Sequence, residues 1–296
     1  MNMSQLKSNR SNWDDFVHST RPSTATGSEI IQRFNSFKAI FEQLPKKDLV
    51  KRGWIRTADD FTSLASVFFD PASAQSMTLF RKVPNANESM LFVWQSQVRA
   101  QAEYSCVMDP LPRFESLGKG YLHELARLSR NPQTIKELSA ILRKSGIILV
   151  YLPALPGMKA DGAVFSLSSG NPVVGLSLRF PRLDNFWFTL MHELAHVVLH
   201  AKMLNNPIFV DIETEDESVI EKSANKLAKE SFVNRSAWRN CEPKYQSGDD
   251  VVIKFAKKQE IHPSIVAGML RRETGNYTRY SAIVNEYDVR KIIFPS

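Results

Sequence analysis

The stretch "DNFWFTLMHELAHVVLH" (184–200) decides how the rest of the chain is read. At the helical period its apolar residues Phe186, Trp187, Phe188, Leu190, Met191, Leu194, Val197, Val198 and Leu199 cover nearly every side. A helix that is apolar all round is buried. The pattern predicts a long helix over 185–202, with Asp184 as its N-cap. Within it sit His192, Glu193 and His196. Burying a carboxylate and two imidazoles without partners costs several kcal/mol, so this helix needs something that satisfies all three together.

The spacing says what that is. Residues i and i+4 share one helix face, so His192 and His196 can hold a single zinc ion, and Glu193 beside them reaches the water on it. Zinc brings the pKa of that water to about 7, and a neighbouring carboxylate can take its proton. With 6 histidines in the chain, HExxH arises by chance in under about 1% of such sequences. A near copy, "HELAR" (123–127), lacks the second imidazole. Arg127 stays protonated and cannot ligate a metal. Its surroundings, Gly118, Lys119, Gly120 and Arg130, read as a solvated face.

A catalytic zinc usually takes a third protein ligand. The metzincin extension would need Gly and His where Leu199 and Lys202 stand. His200 lies about 12 Å along the helix from His192, too far for one ion, and is read as a supporting residue. A carboxylate from a second helix remains. Asp211, Glu213, Glu215, Asp216 and Glu217 form an acidic run of the kind that is usually solvated. Glu221 instead shares an apolar stripe with Ala224, Ala228 and Phe232, on a helix expected at about 217–233. Spacing alone favours Glu221, with Glu217 one turn earlier as the alternative.

The remainder supplies the frame. The 296 residues carry 43% apolar and 23% charged side chains and a net charge of +7, the make-up of an ordinary globular protein. No apolar run is long enough for a bilayer, and two isolated cysteines, Cys106 and Cys241, point to a reducing cytoplasm. Residues 1–28 read as a flexible tail and 29–145 as a helical N-terminal domain, with helices at 28–45, 58–69, 74–82, 88–104, 113–129 and from Asn131-Pro132 to about 145. From Gly146 to the C-terminus the character changes. "IILVYL" (147–152), "GAVFSLSS" (162–169) and "VVGLSLRF" (173–180) read as strands, the last two joined as a hairpin by "SGNP" (169–172). Helices near 250–259 and 263–273 form a C-terminal hairpin, and "VRKIIFPS" reads as a last strand. The expected class is α+β: a mainly helical N-terminal region followed by a minimal zincin-like, gluzincin-type domain at 146–296, with a small sheet and a buried HExxH helix.

"DNFWFTLMHELAHVVLH" followed by "EKSANKLA" (221–228) resembles the ImmA/IrrE family of zinc peptidases, in particular the branch linked to antitoxin-like and Xre-type regulators. "FAKKQEIHPSIVAGMLRRETG" (255–275) is similar to that family's usual tail, and "LVKRGWI" (49–55) resembles a segment of antitoxin-linked relatives. The resemblance implies one Zn2+ per chain held by His192, His196 and Glu221, with Glu193 as catalytic base. It implies cleavage of a regulatory protein, a helix–turn–helix repressor or antitoxin. The sequence departs from the family at Leu227, where Phe is usual, and at "SFVN" (231–234).

Three further expectations concern the substrate. An extended peptide would pair with an exposed sheet edge, for which strand 173–180 is the candidate. Arg179 and Ser177 are candidate substrate-binding residues, and Arg179, Tyr277 and Tyr280 candidate oxyanion stabilisers. The other class of reading is an antitoxin-like regulator that keeps zinc for structure or sensing. Its DNA-binding element would be either the helical region 28–145 or the helix–turn–helix-like rhythm of 250–273, with Lys257, Lys258, Arg271 and Arg272, although Glu260 stands where the turn usually has Gly.

Overall fold

A computed structural model describes residues 27–69, 86–204 and 219–295. Residues 1–26 of the expected tail, the helix expected at 74–82 and the acidic run 211–217 with Glu217 lie outside the described residues. No described helix is long and apolar enough to cross a membrane. The chain divides into two compact units, the first gathering the described residues up to Gln97 with Leu155–Lys159, the second Val98–Ala154 and Ala160 onward. Gly146, where the composition shifts from helix to strand, lies inside the second unit.

The first unit is helical: α1 (Gly27–Glu42), α2 (Lys46–Lys51), α3 (Thr62–Phe69) and the start of α4 (Ala86–Met108). Pro45 separates the first two, since it cannot continue a helix, and serves as N-cap of α2. Phe34, Phe37 and Phe41 repeat along α1 and meet Phe61 edge-on at centroid distances of 6.0–6.2 Å. Asp60 opens α3. Its carboxylate accepts from the Ser63 amide, both neighbouring hydroxyls and Arg56.

The second unit holds the sheet. After α4 come α5 (Lys119–Arg127), two 3-10 turns spanning 128–137, and α6 (Leu138–Arg143). Asn131 does cap the turn after it, accepting from the Gln133 amide. Three strands follow: β1 (Ile148–Tyr151), β2 (Gly162–Ser166) and β3 (Pro172–Leu176). Their spatial order is β1-β3-β2. β3 pairs in parallel with β1, Ile148 opposite Val173, and antiparallel with β2, Val164 opposite Val174. The expected β2–β3 hairpin is present.

This order corrects two expectations. β3 is the central strand, so residues 173–180 cannot supply the exposed edge. All five of its residues are buried, so both faces are covered rather than one. It also stops at Leu176 because Leu178 has φ +51, outside the extended region.

Helix α7 (Leu183–His200) crosses β2 and β3. Its N-cap is Arg182, not Asp184, which lies in the first turn and is buried against α11. Trp187, Leu190, Met191, Leu194 and Ala195 are completely buried, and each large side chain removed from water contributes about 1.5–3 kcal/mol. α8 (Val219–Phe232) packs along α7 through Ala224, Leu227, Ala228 and Phe232, its small residues allowing close approach. Next come α9 (Arg235–Arg239), α10 (Asp249–Gln259) and α11 (Pro263–Thr274), then α12 (Ser281–Val284) and α13 (Val289–Ile293). α11 lies on α7 and is buried from Ser264 to Arg271. Gly268 makes this possible, since a Cβ there would sit 2.6 Å from Asp184 Oδ2. The strand expected at 289–296 is instead α13. Asp288 caps it by accepting from the Arg290 and Lys291 amides, and Val289 and Ile292 bury at helical spacing.

Candidate metal centre

α7 sets His192 and His196 one turn apart on one face, and α8 brings Glu221 against them from its first turn. His192 Nε2 and His196 Nε2 are 3.1 Å apart. Glu221 Oε2 lies 3.2 Å from the first and Oε1 3.3 Å from the second. A metal bound tetrahedrally at about 2.0–2.1 Å separates its ligand atoms by about 3.3–3.4 Å, so this triangle fits one ion above its centre. It is the one such His/Cys/Asp/Glu group among the described residues.

The charges suit a cation as well. The neighbouring imidazoles of His192 and His196 hold the Glu221 carboxyl well below the usual range. Burial alone would lower the His192 pKa, but the bond to Glu221 and the charge of Glu193 raise it on balance. Glu193 projects beside the triangle, 2% exposed, and burial raises its pKa. Its Oε2 is fully buried and has no hydrogen-bond partner among the described residues. A native protein seldom leaves a buried carboxylate oxygen orphaned, so this atom points to a water or substrate group held at the site.

Several supporting residues escaped the sequence reading. Ser223 donates to the Ile220 carbonyl at 2.7 Å, which leaves its oxygen to accept from His200 Nε2 at 3.3 Å. His200 Nδ1 then accepts from His196 Nδ1 at 3.2 Å. Assigned in this way, the chain leaves the Nε2 lone pair of His196 facing the cluster. His200 thus supports the cluster, as the helix arithmetic implied, but Ser223 gave no sign of its part. Asn225, one turn beyond Glu221, bonds to His192. Gly162 starts β2 directly against Glu193: a Cβ there would lie 2.7 Å from Glu193 Oε1 and 2.8 Å from Thr189 Cγ2. A glycine opening a strand otherwise rich in Val and Phe was the available signal.

The remaining candidates have local partners of their own. Ser177 is fully buried and donates to the Ala160 carbonyl at 2.8 Å. Arg179 pairs with Asp161 at 2.7 Å and lies 4.6 Å over the Phe180 ring. Tyr280 Oη accepts from Arg279, and Tyr277 is 58% exposed, its carbonyl accepting from Arg271. In the near copy, His123 and Glu124 are exposed as expected. Yet His123 Nδ1 donates to the Ser231 carbonyl at 3.0 Å, and Arg127 donates to the Phe232 carbonyl and to His123 Nε2. Together they close the C-terminal end of α8.

With the geometry in place, the comparisons can be set beside it. Residues 144–270 match the peptidase M78 family model described as the IrrE N-terminal-like domain. That segment is similar to the IrrE N-terminal-like domain. It contains α7, α8, the His192, His196 and Glu221 triangle and Glu193, and the match supports a metallopeptidase-type function at family level, consistent with the ImmA/IrrE resemblance. Searches of curated proteins and of solved structures gave no match.

Proposed function

We propose that the chain is a zinc-dependent endopeptidase acting on a regulatory protein, with His192, His196 and Glu221 as zinc ligands and Glu193 as general base. The observation that carries the reading is the orphaned, buried Glu193 Oε2 beside a ligand triangle of 3.1–3.3 Å edges. Bound there, zinc supplies a Lewis acid and a water acidic enough to react at neutral pH. Glu193 Oε2 takes the proton of the attacking water and delivers it to the departing amine nitrogen. Its burial raises its proton affinity, which suits that shuttle. His200 and Ser223 hold the His196 tautomer, and Asn225 orients His192.

The outer edge of β2 receives the substrate strand in this reading. Ser166 N bonds outward to Leu204, while Ala163 and Phe165 face β3. The alternation of a strand then turns the backbone groups of Gly162 and Val164 outward as well, and Gly162 adjoins Glu193. A helix–turn–helix repressor is the substrate class that the family resemblance suggests. The DNA-binding alternative fares less well, because a recognition helix exposes its first turns, whereas α11 buries Ser264 to Arg271.

The test is cleavage of helix–turn–helix repressors encoded near this chain's gene, by the zinc-loaded protein and by Glu193→Gln. Cleavage by the first and about 10³-fold less by the second supports the assignment. Intact repressors with both proteins, at full zinc occupancy, refute it.

A further inference from the structure

On the outer side of α8 lies a cavity of about 470 Å³ walled by α8, α9 and α11. Lys222, Lys226 and Lys229 project into it from one face of α8, and Arg235 and Arg272 from the facing helices. Glu230 is the one carboxylate among the lining residues, and none of the five cations has a described carboxylate within 4.0 Å, although Lys229 is drawn electrostatically to Glu273. Five like charges around one hollow outnumber the carboxylates beside them and repel each other, and an anion relieves that. The floor is apolar: Val233 and Met269 are buried, and Trp238 completes it. Trp238 is fixed in place, its Nε1 donating to Glu273 at 2.7 Å while Lys244 covers its ring at 4.8 Å. Asn225 both lines this groove and bonds to His192, so the groove runs up to the metal centre.

We propose that the groove is a substrate-selecting subsite for an acidic peptide segment carrying one apolar side chain. The inference rests on the peptidase reading above and names the substrate class for it. From Asn225 to Val233, α8 rises about 12 Å, the length of about four extended residues. Carboxylates of the segment meet the lysines and arginines, and the apolar side chain rests on Trp238, Val233 and Met269. A nucleic-acid duplex matches less well: its contacts to protein are mostly hydrogen bonds to phosphate and sugar, which leave a Trp and Met floor unfilled.

Binding is measured by fluorescence anisotropy on the full-length, zinc-loaded Glu193→Gln protein, which separates binding from turnover. The probes are a labelled Glu-Asp-Leu-Glu-Asp peptide, its Gln-Asn-Leu-Gln-Asn and Lys-Lys-Leu-Lys-Lys counterparts, and a short oligothymidylate. The acidic peptide is expected to bind about tenfold or more tighter than the neutral one, with affinity falling as salt rises. Lys226→Glu/Lys229→Glu/Arg272→Glu, all at exposed positions, should abolish that preference and favour the lysine peptide. The milder Lys226→Gln/Lys229→Gln should reduce it with unchanged zinc content and Tm. Equal affinity for acidic and neutral peptides overturns the proposal. So does tighter binding of oligothymidylate that the reversal removes. If acidic binding behaves as expected but the wild-type protein cleaves nothing, the peptidase reading falls and the anionic groove stands. If the wild type cleaves without charge preference, the groove falls and the peptidase reading stands.

Discussion

Two stretches of this chain differ by one letter, HELAR at 123–127 and HELAH at 192–196, and both lie on helices that touch α8. In α7 the motif faces inward, with Glu193 and His196 almost wholly buried, and meets Glu221 near the start of α8. In α5 it lies at the surface, and His123 and Arg127 bond to the last carbonyls of α8. One copy binds the chemistry-bearing end of that helix and the other closes its free end. The same four letters therefore serve opposite ends of one element. What separates them is burial and the presence of a carboxylate within ligand distance, not the motif.

The comparison is broken most severely at its glutamates. Glu193→Gln should lower cleavage by about 10³-fold with zinc retained, while Glu124→Gln, exposed at the matching position, should leave cleavage and metal content unchanged. Equal losses in the two variants would mean that burial does not distinguish the copies. Removing Glu221, the proposed third ligand, is the companion test. Glu221→Ala should reduce the bound metal to well below one per chain by elemental analysis, and full occupancy would exclude Glu221 as a ligand.

The neighbouring glycines sharpen the contrast. A Cβ at Gly162 collides with Glu193 and Thr189, whereas one at Gly120, beside the near copy, meets nothing within 4 Å. Gly162→Ala should cost about tenfold or more in kcat/KM by displacing the carboxylate, with metal content intact. Gly120→Ala should be silent in the same assay. His200→Ala should weaken metal affinity by about 10- to 100-fold, read by competition with a chelator. An unchanged affinity would show that the Ser223–His200–His196 chain does not hold the ligand.

Much of this was legible before the fold. The apolar surroundings of 184–200 fixed its burial, helix arithmetic set His200 apart from the His192 and His196 pair, and the stripe of Glu221, Ala224, Ala228 and Phe232 picked out the carboxylate that clusters with them. The hairpin of β2 and β3 followed from its turn. What remained hidden depended on partners distant in sequence. Strand order decides which strand is the edge, and neither alternation nor proximity reveals that β3 pairs on both sides. Asp184 has the chemistry of a cap, but α11 buries it and Arg182 takes that position. At 289–293 the β-branched pattern lost to the capping carboxylate of Asp288. The basic groove gathers residues from three helices: the lysine face of α8 shows in its spacing, but Arg235, Arg272 and the floor of Trp238 and Met269 join it only in the fold.

The smallest expected effect is the one that tests the comparison most directly. Arg127→His restores HExxH in the near copy and should create no metal site. His123 Nδ1 remains turned to the Ser231 carbonyl, and the one ligand cluster among the described residues is the existing one. An imidazole in place of the guanidinium loses the bond to the Phe232 carbonyl, the bond to His123 and the 3.7 Å approach to Glu260. Because Arg127 is partly exposed, water replaces some of these contacts, and the loss should be about 1–2 kcal/mol, read as a lower denaturation midpoint at constant m-value. Metal content should stay at the wild-type value. A second equivalent of bound zinc would show that spacing alone suffices, and that neither the buried helix nor Glu221 is what sets 192–196 apart.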